Sequence, residues 1–337
     1  MHCILIHNPA AGRKRQGRAE QLRQIVDALS SLGHPVELLA TTAPGSAATQ
    51  ARDAVSDGAE IVFACGGDGT VHEIIQGLAC ESCEPSAVLG IIPLGSANAL
   101  ARNLRLSLAP LKAALQEIHG RPRTIPLGKV AYGGQTRYFA LMAGAGPDGA
   151  LVYSLLSASK SRLGRLAYYL HAARLFATSR FRAFEIEYTD AATGEANTRR
   201  AVGAMAVRVN DLGGLFSKLA GRHATIQDPN LRLLVLSPPA ALSLPLWFVS
   251  GWLNLHRLNP FLRFADVSAF SCRPGSGPAP HFQADGEWLG RIPMRVSMVP
   301  NALRLLRPRR NRSAASDRTA PRGSGDIYNS HREGLGD

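Results

Sequence analysis

Apolar residues recur along the first third of the chain in two alternating rhythms. Cys3–His7, Pro35–Leu39, Ile61–Ala64 and Ala87–Ile92 are short apolar runs of strand length. Between them, Leu22, Ile25, Val26 and Leu29 fall on one side of a helix over Gly17–Leu32, and further helices are predicted over Ser46–Asp57, over Val71–Leu78 and from Ala97 towards Leu104. Strands separated by helices make βαβ units, hence a parallel sheet whose ligand loops follow the C-terminal ends of the strands. After about Thr124 the rhythm changes. Ile125–Val130, Tyr138–Met142, Ala183–Thr189, Val202–Val209, Leu231–Leu236, Asp266–Cys272 and Met294–Met298 read as strands with turn residues between them.

The pattern therefore predicts an α/β nucleotide-binding domain over residues 1–123 and a mostly antiparallel β-sandwich domain over 124–299, with 300–307 returning to the first unit. Lys160–Ala177 carries Leu163, Leu166, Ala167, Leu170 and Leu175 and is predicted as a helical insertion in the second domain. Ala241–Leu255, rich in Leu with Trp247, Phe248 and Trp252, is too short to cross a bilayer and reads either as a core helix or as a helix lying on a membrane surface. Residues 308–337, rich in Arg, Ser, Gly and Pro without periodicity, are expected to be a disordered basic tail.

Composition narrows the class. A 337-residue chain with 45% hydrophobic residues can bury two ordinary cores. The chain opens directly on a strand, so no signal peptide is expected. Five scattered cysteines do not make a disulfide framework and fit a reducing compartment; the pair Cys80 and Cys83 reads as two surface or helix-end thiols. The net charge of +13 admits nucleic acid, an anionic membrane surface or an anionic substrate. No helix-turn-helix, zinc-finger or aromatic RNA-binding signature accompanies it, so nucleic acid is not expected as a partner. A membrane surface together with a nucleotide is the better match.

The chemistry concentrates at Cys65-Gly66-Gly67-Asp68-Gly69-Thr70, after a buried strand and before a helix. Glycines let successive backbone N–H groups turn inward as an anion cradle, and the helix start adds its positive end. Asp68 is repelled by phosphate, so its place there suits a phosphate-bound Mg²⁺ or a hydroxyl about to be phosphorylated. Three more segments share this character. Asn8-Pro9-Ala10-Ala11-Gly12 follows the first strand, with Arg13, Lys14 and Arg15 behind it to neutralise phosphate charge. Pro93-Leu94-Gly95-Ser96-Ala97-Asn98 follows the fourth strand, and Asp285-Gly286-Glu287 comes late.

On these four motifs, in this order, the sequence resembles the diacylglycerol kinase catalytic-domain family, which includes sphingosine and ceramide kinases and bacterial soluble lipid kinases. The likeness runs from about residue 3 to 307. It implies a first domain like that of phosphofructokinase and NAD kinase, a C-terminal β-sandwich, and an active site in the cleft between them. It implies ATP and Mg²⁺ as cofactors, and a lipid hydroxyl as acceptor. Gly66, Gly67, Asp68, Gly69 and Thr70 would hold nucleotide phosphates, Thr42 and Ser96 would help bind ATP, and Asn8, Gly12, Lys14, Gly95 and Asn98 would complete the cofactor site. Glu73 is placed to anchor Asn98 or the first loop. Asp68 would meet the Mg²⁺ directly or through water. Asp285 and Glu287, with Asp68, are the catalytic candidates. A lipid hydroxyl needs a carboxylate to take its proton, and in extended backbone residues 285 and 287 point to one side. In relatives a structural ion is held by a carboxylate and two carbonyls; Asp228, with the backbone of Thr225 and Asn230, matches that stretch, though Pro229 stands where the family has Gly. Asp148, in Gly146-Pro147-Asp148-Gly149, reads either as cleft-facing or as a turn residue.

Three departures stand out: Ala99 replaces the usual Asp, His72 the usual Asn, and Ser96 the usual Thr. The expected activity is ATP-dependent phosphorylation of a diacylglycerol-like or sphingoid-like lipid by a cytoplasmic enzyme peripheral to the inner face of the membrane, with a homodimer as a further partner state. Two alternatives are an NAD kinase-like enzyme, which shares G-G-D-G-T, and a catalytically silent nucleotide- or lipid-binding regulator, motivated by Ala99.

Overall fold

The computed structural model describes residues 1–10, 17–157, 174–176, 178–212 and 224–308. Gly12, Arg13, Lys14 and Arg15 therefore lie outside the described residues, as do nearly all of the expected helical insertion and the tail from 309 onward.

Strands β1 (Cys3–His7), β2 (Val36–Ala40), β3 (Ile61–Gly66) and β4 (Val88–Pro93) lie in the order β2-β1-β3-β4, each neighbour parallel to the next. The helices around them are α1 (Arg18–Ser31), α2 (Ser46–Ser56), α3 (Asp68–Leu78), α4 (Ala99–Asn103) and α5 (Pro110–Ile118). The two-residue period of the strands sorts the core into two layers. Cys3, Leu5, Ile61 and Phe63 pack with Leu22, Ile25 and Leu29 of α1 and Ala114 and Ile118 of α5. Their alternates Ile4, Ile6, Val62 and Ala64 pack with Ala47 and Ala51 of α2 and Ile74 and Ile75 of α3. Both faces are covered, which is why these strands read as unbroken apolar runs.

The rest of the chain supplies β5 (Arg121–Tyr132), β6 (Gln135–Phe139), β7 (Met142–Ala145), α6 (Pro147–Ser157), β8 (Phe184–Thr189), β9 (Ala196–Ala201), β10 (Gly203–Val207), β11 (Leu231–Leu236), α7 (Ala240–Trp252), β12 (Leu262–Val267), β13 (Ala269–Arg273), β14 (His281–Ala284), β15 (Glu287–Arg291) and β16 (Met294–Arg307). Strand β16 joins the halves. Its later residues pair in parallel with β4 at Arg304↔Val88, while β5 runs antiparallel along its whole length, from Arg295↔Ala131 to Arg307↔Arg121. The parallel strands thus continue through β16, β13, β8 and β9 into one ten-stranded sheet, with β5 and β6 branching from β16. A six-stranded antiparallel sheet, β12-β11-β10-β7-β14-β15, faces its far half. Phe139, Phe184 and Phe270 of the large sheet and Ala204, Leu233 and Phe282 of the smaller one share the core between them.

Two expected features differ. The strand expected over Tyr138–Met142 is broken, because the backbone N–H groups of Ala140, Leu141 and Met142 leave the ladder for the carboxylate of Asp285. The chain passes from one sheet to the other at that break. Cys80 and Cys83, expected as free thiols, are joined by a disulfide in the turn after α3, their Cα atoms 5.6 Å apart and within bridging reach.

Candidate active site

The C-terminal ends of β1 to β4 lie side by side, and the loops that follow them are stitched together by backbone bonds. Asn8 N–H reaches Cys65 O at 3.3 Å, Thr41 N–H reaches His7 O at 2.9 Å, and Leu94 N–H reaches Gly66 O at 2.8 Å. The two glycine turns touch backbone to backbone. A Cβ added to Gly95 would lie 2.4 Å from the Cα of Gly67, so no larger residue fits without parting the loops. Asn98 holds its own turn in a left-handed conformation, φ 50°, its amide accepting from Gly95 N–H and donating to Gly95 O. Asn8 closes a similar local turn through Ala10 N–H. Thr42 and Ser96 are exposed at the mouth of this group of loops. Glu73 makes no hydrogen bond or ion pair among the described residues, and Asn98 is anchored to Gly95 without it.

Asp68 is the first residue of α3, so its carboxylate stands at the rim of the glycine loop. Its Oδ1 accepts the N–H of Ala99 at 2.6 Å, fixing the start of α4 against the start of α3. This bond uses backbone, so Ala99 supplies it without the acidic side chain the family usually has there. Burial raises the pKa of Asp68, the N–H groups of Ala99, Asn98 and Leu100 work against that, and the negative charge of Asp285 adds to the rise.

Asp285 faces Asp68 across a small cleft lined also by Val71, His72, Ile75, Leu100, Ala140 and Leu141. It reaches that place by a tight hairpin turn between β14 and β15. Asp285 is left-handed with φ 46° and Gly286 follows at φ 83°, the pattern that a two-residue Asp-Gly turn demands. The extended-backbone argument for residues 285 and 287 therefore does not hold; they meet through a third residue. Asp285 Oδ2 accepts Ala140 N–H at 2.7 Å, and Oδ1 accepts Leu141 and Met142 N–H, each at 2.9 Å. His72 Nδ1 lies 3.3 Å from Asp285 Oδ2, and Nε2 lies 3.1 Å from Glu287 Oε2 as an ion pair. Arg137 of β6 grips both oxygens of Glu287 at 2.8 and 2.7 Å.

The charges of this cluster follow. Burial disfavours a cationic His72, but Asp285 and Glu287 outweigh it and push the imidazole up to about 9. His72, with Arg137 behind it, holds the Glu287 carboxyl down at about 2 against partial burial. Arg208, fully buried behind Asp285, donates to Pro126 O at 2.7 Å and Ile226 O at 2.8 Å; burial lowers its pKa to about 10. Gln76 binds α3 to β6, donating to Tyr138 O and accepting Tyr138 N–H, each at 2.9 Å.

Asp148 lies behind the hairpin, where Gln283 donates to it at 2.5 Å and accepts Gly286 N–H at 2.8 Å; burial pushes its carboxyl up to about 6. Asp228 lies apart from the cleft. Thr225 donates to its two oxygens from N–H at 2.7 Å and from Oγ1 at 2.6 Å, so the turn is complete with protein groups alone. Among the described residues no three His, Cys, Asp or Glu side chains gather as a metal cluster.

The structure thus brings together Asp68, Asp285, Glu287 and the two glycine turns, and leaves Glu73 outside the contacts expected of it. Sequence reasoning noted His72 only as a departure, although its spacing of four from Asp68 places both on one side of α3. Arg137, Arg208 and Gln76 carry no motif.

The family model for the diacylglycerol kinase catalytic domain matches residues 2–130. The chain is 34% identical to a diacylglycerol kinase of Bacillus subtilis (strain 168) over 233 residues, covering 69% of this chain and 72% of that protein. It is 27% identical to one from Staphylococcus saprophyticus over 289 residues, or 86% of this chain and 90% of that one. A crystal structure of a diacylglycerol kinase from Bacillus anthracis str. Sterne superposes with a TM-score of 0.64 at 18% identity, covering 93% of this chain and 97% of that one. A second structure from the same organism reaches 0.71 at 20% identity, with 93% and 96% covered. At those identities the structures speak for the fold, an N-terminal α/β unit followed by an antiparallel one.

Proposed function

The chain belongs to the diacylglycerol kinase family, and on that premise we propose that it is an ATP-dependent lipid kinase moving the γ-phosphate onto a lipid hydroxyl. The observation that carries this reading is the position of Asp68. It stands where two touching glycine turns form a phosphate-type cradle, and it faces a cleft with apolar walls at Val71, Ile75, Leu100 and Leu141. The space between these buried walls is water-sized, room for the accepting hydroxyl, and the exposed backbone of the loops suits nucleotide phosphates.

Three carboxylates compete for the role of proton acceptor. Glu287 is paired with two cations and held near 2, which makes it a weak base. Both oxygens of Asp285 are taken by backbone N–H groups. Asp68 meets the N–H groups of Ala99, Asn98 and Leu100 but makes no ion pair among the described residues and has its pKa raised by burial, so it is the best placed to accept the hydroxyl proton as the phosphate is transferred. Mg²⁺, when bound, neutralises phosphate charge. Two carboxylates facing one cleft fit a cation, and Asp68 would hold it through water. Asp285 and Glu287 then shape the acceptor side of the cleft rather than take the proton.

Contact with a membrane is supported by α7. Leu242, Leu246, Val249 and Leu253 follow helical spacing and are 54%, 41%, 55% and 57% exposed, with Trp252 at 65% beside them. Arg257 and Arg263, both exposed, follow them in the chain and suit anionic headgroups. No helix among the described residues is long and apolar enough to span a bilayer. We place the enzyme on the inner face, where ATP is available.

The test is transfer from radiolabelled ATP to a mixed-micelle panel of diacylglycerol, monoacylglycerol, a sphingoid base and a polyprenol, with Asp68→Asn alongside. A labelled lipid whose formation falls about 10²–10⁴-fold in the variant supports the proposal. Label appearing on NAD would replace it with an NAD kinase, and ATP binding without any turnover would replace it with a silent regulator.

A further inference from the structure

The part of the cleft that binding and proton transfer do not use is His72, and its surroundings are unusual. It is 4% exposed, it belongs to α3 of the large sheet's side, and its two ring nitrogens face carboxylates of a hairpin in the other sheet. Asp285 and Glu287 come to it from the hairpin turn, Arg137 from β6 lies beyond Glu287, Arg208 from β10's end acts on Asp285, and Asp68 shares its helix.

We propose that His72 is a positioning residue: it pins the Asp285-Gly286-Glu287 turn to the helix that carries the glycine loop, so the acceptor and phosphate sides of the cleft hold one spacing. This rests on the lipid kinase reading for its catalytic consequence, but the pin itself is a matter of structure. Three features argue for it. An imidazole has two nitrogens at fixed separation, so it can engage two carboxylates at once. The Asn usual in the family at this position would have one short amide end to do both. Its Nδ1 lies within hydrogen-bond reach of Asp285, while its Nε2 lies 3.1 Å from Glu287 outside hydrogen-bond alignment, so the second contact is one of proximity and charge. And the turn it holds is the one whose Asp285 organises the backbone of Ala140, Leu141 and Met142, the point where the chain crosses between sheets. Loosening the ring therefore loosens the wall of the cleft opposite Asp68.

The experiment compares His72→Ala and His72→Gln with the parent protein by amide hydrogen exchange and by steady-state kinetics. Because Ala140, Leu141 and Met142 N–H groups are bonded to Asp285, their exchange reports the pin directly, without any catalysis. We expect their protection to fall by about 10- to 100-fold in His72→Ala, the weight of a charge-assisted hydrogen bond, while amides of β1 and β3 stay protected. His72→Gln, which keeps one polar contact, should fall between. In the kinetics, kcat for the lipid should drop by about tenfold or more with KM for ATP little changed, since the phosphate loops are untouched. Unchanged protection at Ala140–Met142 in both variants would overturn the proposal, as would a loss of protection spread evenly over both sheets. A parent protein that phosphorylates no lipid would sink the kinase reading alone, and the exchange result would still decide the pin.

Discussion

Adding one methyl group at two different glycines should separate the role of the phosphate cradle from that of the fold. Gly69 lies in the first turn of α3, in ordinary helical backbone, and a Cβ there meets nothing within 4 Å. Gly69→Ala should thus cost the folded protein nothing, and by lowering the entropy of the unfolded chain it should add up to about 1 kcal/mol. For a protein of this size that is a Tm rise of about 1–2 °C at most. The same methyl would stand where nucleotide phosphates meet the loop's N–H groups. The displacement of one charge-assisted hydrogen bond should raise the KM for ATP by about 10- to 100-fold. Gly95→Ala is the opposite case. Its Cβ would lie 2.4 Å from Gly67 Cα and 2.8 Å from Asn98 Oδ1, against the roughly 3.5 Å that carbon atoms tolerate. The loops would have to part by about 1 Å, at a cost of about 1–3 kcal/mol. Thermal melts and ATP titrations on both variants are the assay: a stable Gly69→Ala with weak ATP binding beside a destabilised Gly95→Ala. A Gly69→Ala protein with unchanged ATP affinity would mean that phosphates do not lie on this loop, and the reasoning would fail.

Three further outcomes are expected. Asp285→Asn puts an amide donor among the N–H groups of Ala140, Leu141 and Met142, so it should lose about 1–3 kcal/mol of stability as well as turnover, measured by denaturant unfolding; full stability would refute the hydrogen-bond assignment. Glu117, fully buried with Ile91 N–H on one oxygen, has its pKa raised well above 4.5 by burial, so the folded state holds this proton more tightly and stability should decline as pH rises above about 4.5. Glu117→Gln should remove that decline, raising Tm at pH 8 by about 2–4 °C but hardly at pH 4; equal shifts at both would contradict it. On α7, Leu246→Ser with Trp252→Ser should weaken binding to anionic vesicles by about tenfold or more. Trp247, 3% exposed, belongs to the core, so Trp247→Ala should cost about 3–5 kcal/mol of stability and leave the vesicle-facing surface intact; sedimentation with vesicles separates the two.

The chain's own patterning reached far into the first half. Parallel strands covered on both faces must be apolar throughout, so β1, β3 and β4 announce themselves as runs, and glycines after them mark where loop backbones must approach one another closely. The same logic weakened in the second half. There β6 and β7 read as one strand, since nothing local shows that three consecutive N–H groups turn away to a carboxylate some 140 residues later in the chain. The short hairpin arms β14 and β15 lack strict alternation, and the Asp-Gly pair between them was read as extended backbone where the fold makes a left-handed turn.

What the sequence determined by itself was the set of local demands: strand and helix periods, glycines where loops must touch, and the acidic residues near them. Which carboxylate is free to act was decided by the fold. Asp285 and Glu287 look like an available pair in the one-dimensional chain, yet packing delivers three backbone donors, His72 and Arg137 to them from other elements, while Asp68 meets backbone N–H groups and no cation among the described residues. Local spacing governs what a residue can reach along its own element; charge and hydrogen bonding depend on neighbours brought from elsewhere, and those exist only once the two sheets have closed on each other.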